Sequence, residues 1–218
     1  MSGRVKVGVL ISGRGSNLQA LIDACAEPDF PAEIACVISN VSDVEGLRRA
    51  ARAGIPAHTV AHGTFAGRES FDMAMDTILR RANVAIVCLA GFMRVLSDRF
   101  VEDWLGRLIN IHPSLLPAFK GLDVHRRVVE SGARISGCTV HFVVPELDSG
   151  PIIAQAALPV LPADTEDALA ARTLLAEHTL YPLALKLLAE NRVRLDNGRA
   201  MFGQIGDAKG LLFNPPLR

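Results

Sequence analysis

The sequence predicts an α/β fold: a Rossmann-like, doubly wound, mostly parallel sheet with an antiparallel C-terminal addition and a long C-terminal helix. Three observations predict it. Short apolar runs of strand length alternate with helical patterns through the first half. Those runs are apolar at nearly every position, as expected of strands covered on both faces. The second half replaces the alternation with two extended runs joined by a turn-rich segment.

Val5 to Ile11 reads as the first buried strand, and Asn17 to Cys25 as a helix with Leu18, Leu21 and Ile22 inward. Ile34 to Ser39 is a second strand, and Glu45 to Ala53 a helix stopped by Gly54 and Pro56. Ala57 to Val60 is a weaker strand, and Arg68 to Arg81 a helix with Phe71, Met75, Ile78 and Leu79 on one side. Val84 to Leu89 and Leu108 to Ile111 are further core strands. A short helix is expected near Val124 to Glu130, then strands at Ile135 to Val144 and Ile152 to Val160 about the turn Pro145 to Pro151. A long helix from Thr165 to about Glu190 follows, with Pro182 expected to bend it. The tail from Asp196 is glycine-rich, carries Pro215-Pro216, and is expected to form a hairpin and then fray.

No repeat or linker divides the 218 residues, so one domain is expected over 1–218. Two halves are expected within it, at about 1–108 and about 109–195, followed by a tail at about 196–218. A chain of this length should bury roughly 70% of the surface that its unfolded form exposes, and so needs no disulfide staples. Cys25, Cys36, Cys88 and Cys138 lack metal-type spacing and read as small hydrophobes in a reducing compartment. The 23 basic and 23 acidic residues balance, which removes any general field for nucleic acid or an anionic membrane. The longest apolar stretch, Val84 to Met93, is too short to cross a bilayer, and no secretory signal is visible. A cytoplasmic protein acting on small molecules is expected, with no nucleic-acid or membrane partner.

Gly13-Arg14-Gly15-Ser16-Asn17 lies where the first strand hands over to the first helix. Glycines there permit positive φ, and a helix start offers free N–H groups to an anion. The dinucleotide fingerprint fails, because Leu18 holds the third glycine position and Ser39-Asn40 offers no acid for a ribose. Two readings remain: a cradle sized for one phosphate, with Ser16 or Asn17 as helix cap, or a structural tight turn.

Asn110 and His112 flank Ile111 at a strand end, and period-two alternation sends both to one side while Ile111 faces core. Open α/β sheets place their ligands at such strand ends. The plainer reading is a turn-capping Asn beside a solvated His. Asp148, in the turn Pro145 to Gly150, is either a turn former or the partner of His112. As partner it would hold the imidazole and favour its charged form. An acid, an amide donor and an orienting carboxylate together suit a tetrahedral oxyanion. A metal held by His112, His141 and Asp148 is a rival, though Asn110 suits hydrogen bonding better. Ser114 lacks the glycine elbow of a serine nucleophile.

The run Asn110-Ile111-His112-Pro113-Ser114-Leu115-Leu116-Pro117 resembles the signature of the folate-dependent glycinamide ribonucleotide formyltransferases. The resemblance extends to Ile11-Ser12-Gly13-Arg14-Gly15-Ser16-Asn17-Leu18, Leu89-Ala90-Gly91-Phe92-Met93-Arg94, Thr139 to Val143, and Glu146 to Pro151. It implies transfer of the formyl group of 10-formyltetrahydrofolate, a co-substrate, to the glycinamide amine of 5-phosphoribosylglycinamide, with no metal. By position, His112 would be the general acid, Asn110 an oxyanion partner, and Asp148 the group that favours the charged imidazole and orders water. Gly15, Ser16 and Asn17 would hold the nucleotide phosphate, and Glu177 would contact the nucleotide. Arg68, Met93, Arg94, Val95, Leu96, Asn110, Val144, Pro145, Glu146, Leu147 and Asp148 would line the folate pocket. Independently, Glu177 shares a helical arc with Leu169, Thr173, Leu180 and Ala184, and an inward carboxylate needs a partner.

Arg14 departs from the small or neutral residue common in relatives, and either adds a phosphate contact or points to solvent. In the variable loop Lys120 to His125 only His125 carries over as a substrate-side residue. A methionyl-tRNA formyltransferase would be expected to append a C-terminal domain and a basic surface. A formyltetrahydrofolate hydrolase would be expected to add an N-terminal regulatory domain and to differ after His112. A non-catalytic nucleotide sensor would leave Asn110, His112 and Asp148 idle. A monomer or homodimer that transfers formyl groups is the expectation.

Overall fold

β1 (Val5–Ile11) lies in the interior of the sheet, and its residues from Val7 onward are fully buried because helices cover both faces. The computed structural model describes residues 3–204. After β1 come α1 (Ser16–Ala26), β2 (Ala32–Ser39), α2 (Glu45–Arg52), β3 (Ala57–Thr59), a single 3₁₀ turn at His62–Thr64, and α3 (Arg68–Arg81). β4 (Ile86–Leu89), α4 (Asp98–Asp103), β5 (Leu108–His112) and α5 (Val124–Glu130) follow. The chain continues through β6 (Ile135–Phe142), β7 (Ile152–Pro159), α6 (Glu166–Ala189), β8 (Val193–Asp196) and β9 (Arg199–Phe202).

One seven-stranded sheet has the order β3-β2-β1-β4-β5-β6-β7. The first five strands run parallel, and β6 and β7 are antiparallel. The expected doubly wound sheet with an antiparallel addition is therefore present. Alternation along each strand divides the core into two layers. Val7, Val9 and Ile11 pack with Leu18 and Leu21 of α1 and with Tyr181, Leu185 and Leu188 of α6. Leu10, Ile38, Val87 and Leu108 pack on the other face with Phe71, Met75 and Leu79 of α3, with Phe100 of α4 and with Trp104 just beyond it. The connection reverses between neighbours β1 and β4, which opens a crevice at their C-terminal ends.

Several boundaries differ from expectation. β4 starts at Ile86 because Val84 still closes α3, its N–H donating to the Leu79 carbonyl. α4 is six residues long and capped by the Ser97 hydroxyl, too short to leave a helical period in the sequence. The C-terminal hairpin begins at Val193, before Asp196, and turns at Asn197 (φ 47°) and Gly198 (φ 72°), the residues that a tight hairpin turn favours. The fraying expected beyond it lies outside the described residues.

Tyr181 joins the layers. It is fully buried, and its hydroxyl is shared between the carbonyls of Leu89 (3.0 Å) and Ile109 (3.2 Å), tying α6 to β4 and β5. Tyr181→Phe leaves those carbonyls without this donor and is expected to cost about 1–2 kcal/mol. An unchanged urea midpoint in that variant would show the bond to be dispensable.

Candidate active site

The C-terminal half of β5 carries the chemistry. Ile109 and Ile111 join the α1/α6 core layer while Leu108 joins the opposite one, so Asn110 and His112 project onto the α3/α4 face. Cross-strand pairing sets His141 of β6 opposite Asn110. The His141 Nδ1–H donates to its neighbour's carbonyl, Phe142 O, at 2.8 Å. Burial pushes His141 below the usual imidazole range, so the ring is neutral and its Nε2 accepts from Asn110 Nδ2 at 3.3 Å.

Because β6 is antiparallel, its end lies beside the start of β5, where the Val143 N–H donates to the Leu108 carbonyl. Asp148 must therefore fold back over the sheet face to reach His112. Two backbone features permit this. Asp148 itself adopts positive φ (48°), and Gly150 packs so closely on the Phe142 carbonyl that a Cβ there would sit 1.7 Å from its oxygen. Asp148 Oδ2 then lies 3.4 Å from His112 Nδ1 and accepts the Gly121 N–H at 2.9 Å, while Oδ1 lies 3.8 Å from His141 Nε2. His112 Nε2–H donates to the Phe119 carbonyl at 3.0 Å. Each nitrogen of His112 thus faces an acceptor. The three catalytic candidates do come together.

Among the described residues no group of three or more His, Cys, Asp and Glu side chains is arranged to hold a metal ion, and His141 Nε2 is already engaged by Asn110. Ser114 is fully buried and donates to the Ala118 carbonyl at 2.6 Å, a structural bond within the loop. All four cysteines are free and buried, and burial pushes Cys25 and Cys36 up to about 11 and Cys138 up to about 12. None of these three is a thiolate nucleophile near neutral pH.

The glycine-rich turn is held from behind. Gly46 N–H donates to Gly13 O at 3.1 Å, and Arg49 Nε–H donates to Arg14 O at 3.0 Å. Gly15 takes positive φ (68°) and lies so close to α2 that a Cβ would sit 2.7 Å from Gly46 Cα. The expected capping role of Ser16 or Asn17 is corrected: Gly15 is the cap residue, and no side chain caps α1. The first-turn N–H groups are consequently left unblocked by a side chain. Asn17 instead points to α6, its Nδ2 donating to Glu177 Oε2 at 2.7 Å. Both residues are buried, and Asn17 Oδ1 has no hydrogen-bond partner. Arg14 is exposed, and among the described residues its guanidinium makes no hydrogen bond or ion pair.

Met93, Arg94 and Val95 are exposed after β4, and Leu96 is buried. Leu96 and Phe92 share a core layer with Val143, which brings this segment and the start of the 144–148 loop onto one face. Val144 is half-buried; Pro145, Glu146 and Leu147 are exposed. Arg68 begins α3, close enough to Asp72 to act on its charge, as Arg94 also is. A cavity of about 740 Å³ lies outside the 144–152 loop, between Leu105 and the C-terminal hairpin. It touches none of Asn110, His112 or Asp148 and is not the reaction site. His125, on α5, is half-buried and near enough to His112 to feel its charge. The Phe119 carbonyl and Gly121 amide are not legible as partners in the sequence, because main-chain groups leave no residue signature. His141 was visible only as a rival metal ligand, since its pairing with Asn110 needs the strand register.

A buried imidazole, a carboxamide and a carboxylate lie together on an open α/β sheet, beside a helix start that no side chain caps, a set of groups suited to transfer at a carbonyl carbon. The chain belongs to the formyl transferase family, whose pattern it matches over residues 5–185. It is 45% identical over 196 residues to the phosphoribosylglycinamide formyltransferase of Escherichia coli, covering 90% of this chain and 92% of that one. It is 51% identical over 197 residues to the human trifunctional purine biosynthetic protein adenosine-3, covering 90% of this chain. The chain spans about a fifth of the length of such trifunctional relatives. Glycinamide ribonucleotide transformylase 1 from Symbiobacterium toebii superposes with a TM-score of 0.90 at 44% identity, covering 93% of this chain and 95% of that one.

Burial pushes the Glu177 carboxyl above its ordinary 4.5, partly offset by Asn17. A folded-state value above the unfolded one means that the stabilising contribution is present below 4.5 and is lost as pH rises through the folded value. Glu177→Gln keeps an acceptor for Asn17 and removes the buried charge. It is expected to raise the urea midpoint at pH 7, with the gain shrinking toward pH 4.5; a gain constant with pH would refute this.

Proposed function

We propose that this enzyme transfers the formyl group of 10-formyltetrahydrofolate to the amine of 5-phosphoribosylglycinamide, a step of de novo purine biosynthesis. The observation that carries the reading is the 3.4 Å approach of Asp148 to His112 on the face that Asn110 shares. The names of relatives that match nearly end to end support the ribonucleotide acceptor and the formyl group, and the motif resemblance supports the folate donor.

The amine nitrogen attacks the formyl carbon, and the carbonyl electron pair moves to oxygen. A second N–H of Asn110 and the Nε2–H of His112 stabilise that oxyanion, His112 exchanging the Phe119 carbonyl for it while Nδ1 stays on Asp148. Collapse breaks the bond from carbon to N10 of the folate. N10 takes a proton by way of His112, and the attacking amine releases one toward water at Asp148. The first-turn amides at Gly15, Ser16 and Asn17 receive the phosphate, with Glu177 beside Asn17 for a hydroxyl or amine. Arg68, the segment Met93 to Leu96 and the loop Val144 to Asp148 receive the folate. The phosphate half at about 1–108 and the catalytic half at about 109–195 then belong to one domain, with Arg68 and Met93 to Leu96 reaching across. Free buried cysteines support a cytoplasmic setting, and a monomer or a homodimer is proposed.

A steady-state assay of tetrahydrofolate release, with and without the ribonucleotide, tests the reaction. Acceptor-dependent release is expected; release without acceptor would make the enzyme a hydrolase, and no release would end the proposal. His112→Ala is expected to lower turnover by about 10²–10⁴-fold with the circular dichroism spectrum retained. A near-normal rate would remove His112 from the chemistry.

A further inference from the structure

Asp72 is a carboxylate set in the wall between α3 and α4, only 2% exposed. Burying such a group is costly unless its surroundings compensate. Its compensation comes from one direction. Oδ2 accepts the Ser97 N–H at 2.6 Å, and the Arg68 and Arg94 guanidinia bear on its charge. Oδ1 is buried and has no hydrogen-bond partner among the described residues. Burial pushes the carboxyl up, while Ser97 and the two guanidinia pull it back.

The segment that these contacts meet needs such an anchor. Between Met93 and Ser97 only Leu96 enters the core; Met93 is 68% exposed and Val95 57%. Apolar burial therefore does little to fix the backbone of this stretch. Two polar clamps hold its ends instead: Ser12 Oγ accepts the Met93 N–H at 2.7 Å, and Asp72 accepts the Ser97 N–H. The second clamp also sets α4, because Ser97 Oγ caps that helix at the Phe100 N–H.

We propose that Asp72 is a positioning residue for the formyl donor, clamping the turn at Ser97 and drawing Arg68 and Arg94 to the mouth of the folate pocket. The inference rests on the donor side assigned above. It goes further, in that a residue outside the pocket sets donor affinity without touching the reacting atoms. Donor KM should then respond to Asp72, while acceptor KM and saturated turnover should not, because Asn110, His112, Asp148 and the α1 turn lie on other supports.

The test varies both substrates in steady state for Asp72→Leu and Asp72→Asn, with thermal melts alongside. Asn keeps an oxygen for the Ser97 N–H but carries no charge for the arginines; Leu loses both. Asp72→Leu is expected to raise the KM for 10-formyltetrahydrofolate about tenfold and to leave the ribonucleotide KM and kcat within about twofold, with Asp72→Asn between it and wild type. An unmoved donor KM in both variants overturns the proposal. So does a parallel change in both KM values and kcat, which would mark a general stability role. If Asp72→Leu does not fold, Asp72→Asn decides: a donor KM raised about threefold supports the assignment, and an unchanged one overturns it. A wild-type enzyme that transfers no formyl group would sink the assigned reaction and this role with it; an active wild type with an unmoved donor KM would sink the Asp72 role alone.

Discussion

The pairing of Asp148 with His112 depends on a chain that turns the wrong way for it. Parallel strands deliver their following loops to one edge of a sheet, and β1, β4 and β5 do so. β6 is antiparallel to β5, so its exit lies at the opposite edge. The carboxylate reaches the imidazole only because the loop after β6 doubles back across the face. A left-handed residue at Asp148 and the absence of a side chain at Gly150 make that path sterically available. The Gly121 N–H then holds the carboxylate at the end of it. Strain and close contact in this loop are explained by the position of one oxygen atom.

The side proposed for the acceptor is built on a different arrangement of charge. The chain is formally neutral, so an anionic substrate gains nothing from a long-range field and must be held by local dipoles. The turn at Gly15 meets that need by leaving the first amides of α1 free of a side-chain cap. Asn17, which had the right chemistry to cap, is turned to Glu177. The result is a helix start open to an anion beside a buried acid–amide pair with an unfilled acceptor, two unlike polar features that one phosphorylated, amine-bearing molecule can satisfy together.

How much of this the sequence disclosed follows from the range of each interaction. Periodicity over one strand or helix is local, so β1, α3 and α5 were legible almost residue for residue, as was the shared side of Asn110 and His112. α4 was not, because six residues make too few turns to leave a pattern. The cap on α1 was misjudged because Asn17 has a partner 160 positions away that competes for its amide. Resemblance of motifs identified Asp148 as the partner of His112, yet no local signal fixed the route of the loop. The buried position of Asp72 was likewise invisible, since an aspartate in a helix reads as solvent-facing until the turn at Ser97 is seen to cover it.

Two imidazoles and one carboxylate share a single face of the β5–β6 pair, and their surroundings assign them unlike roles. His141 spends its Nδ1 proton on a main-chain carbonyl and its Nε2 lone pair on Asn110, so a second proton has no acceptor within hydrogen-bonding distance: Asp148 Oδ1 stands 3.8 Å away. His112 has the opposite arrangement, with a carbonyl oxygen at one nitrogen and a carboxylate oxygen at the other. The ring that can use two protons is the one at the strand end, its Nε2 held by the Phe119 carbonyl. The neutral ring lies deeper and fixes the amide beside it. In the proposed reaction, exchanging the Phe119 oxygen for a developing oxyanion would cost His112 no net hydrogen bond, and Asn110 would meet the same oxygen already oriented by His141. Preorganisation in that proposal amounts to an acid whose resting contact has the form that its contact in the transition state would take.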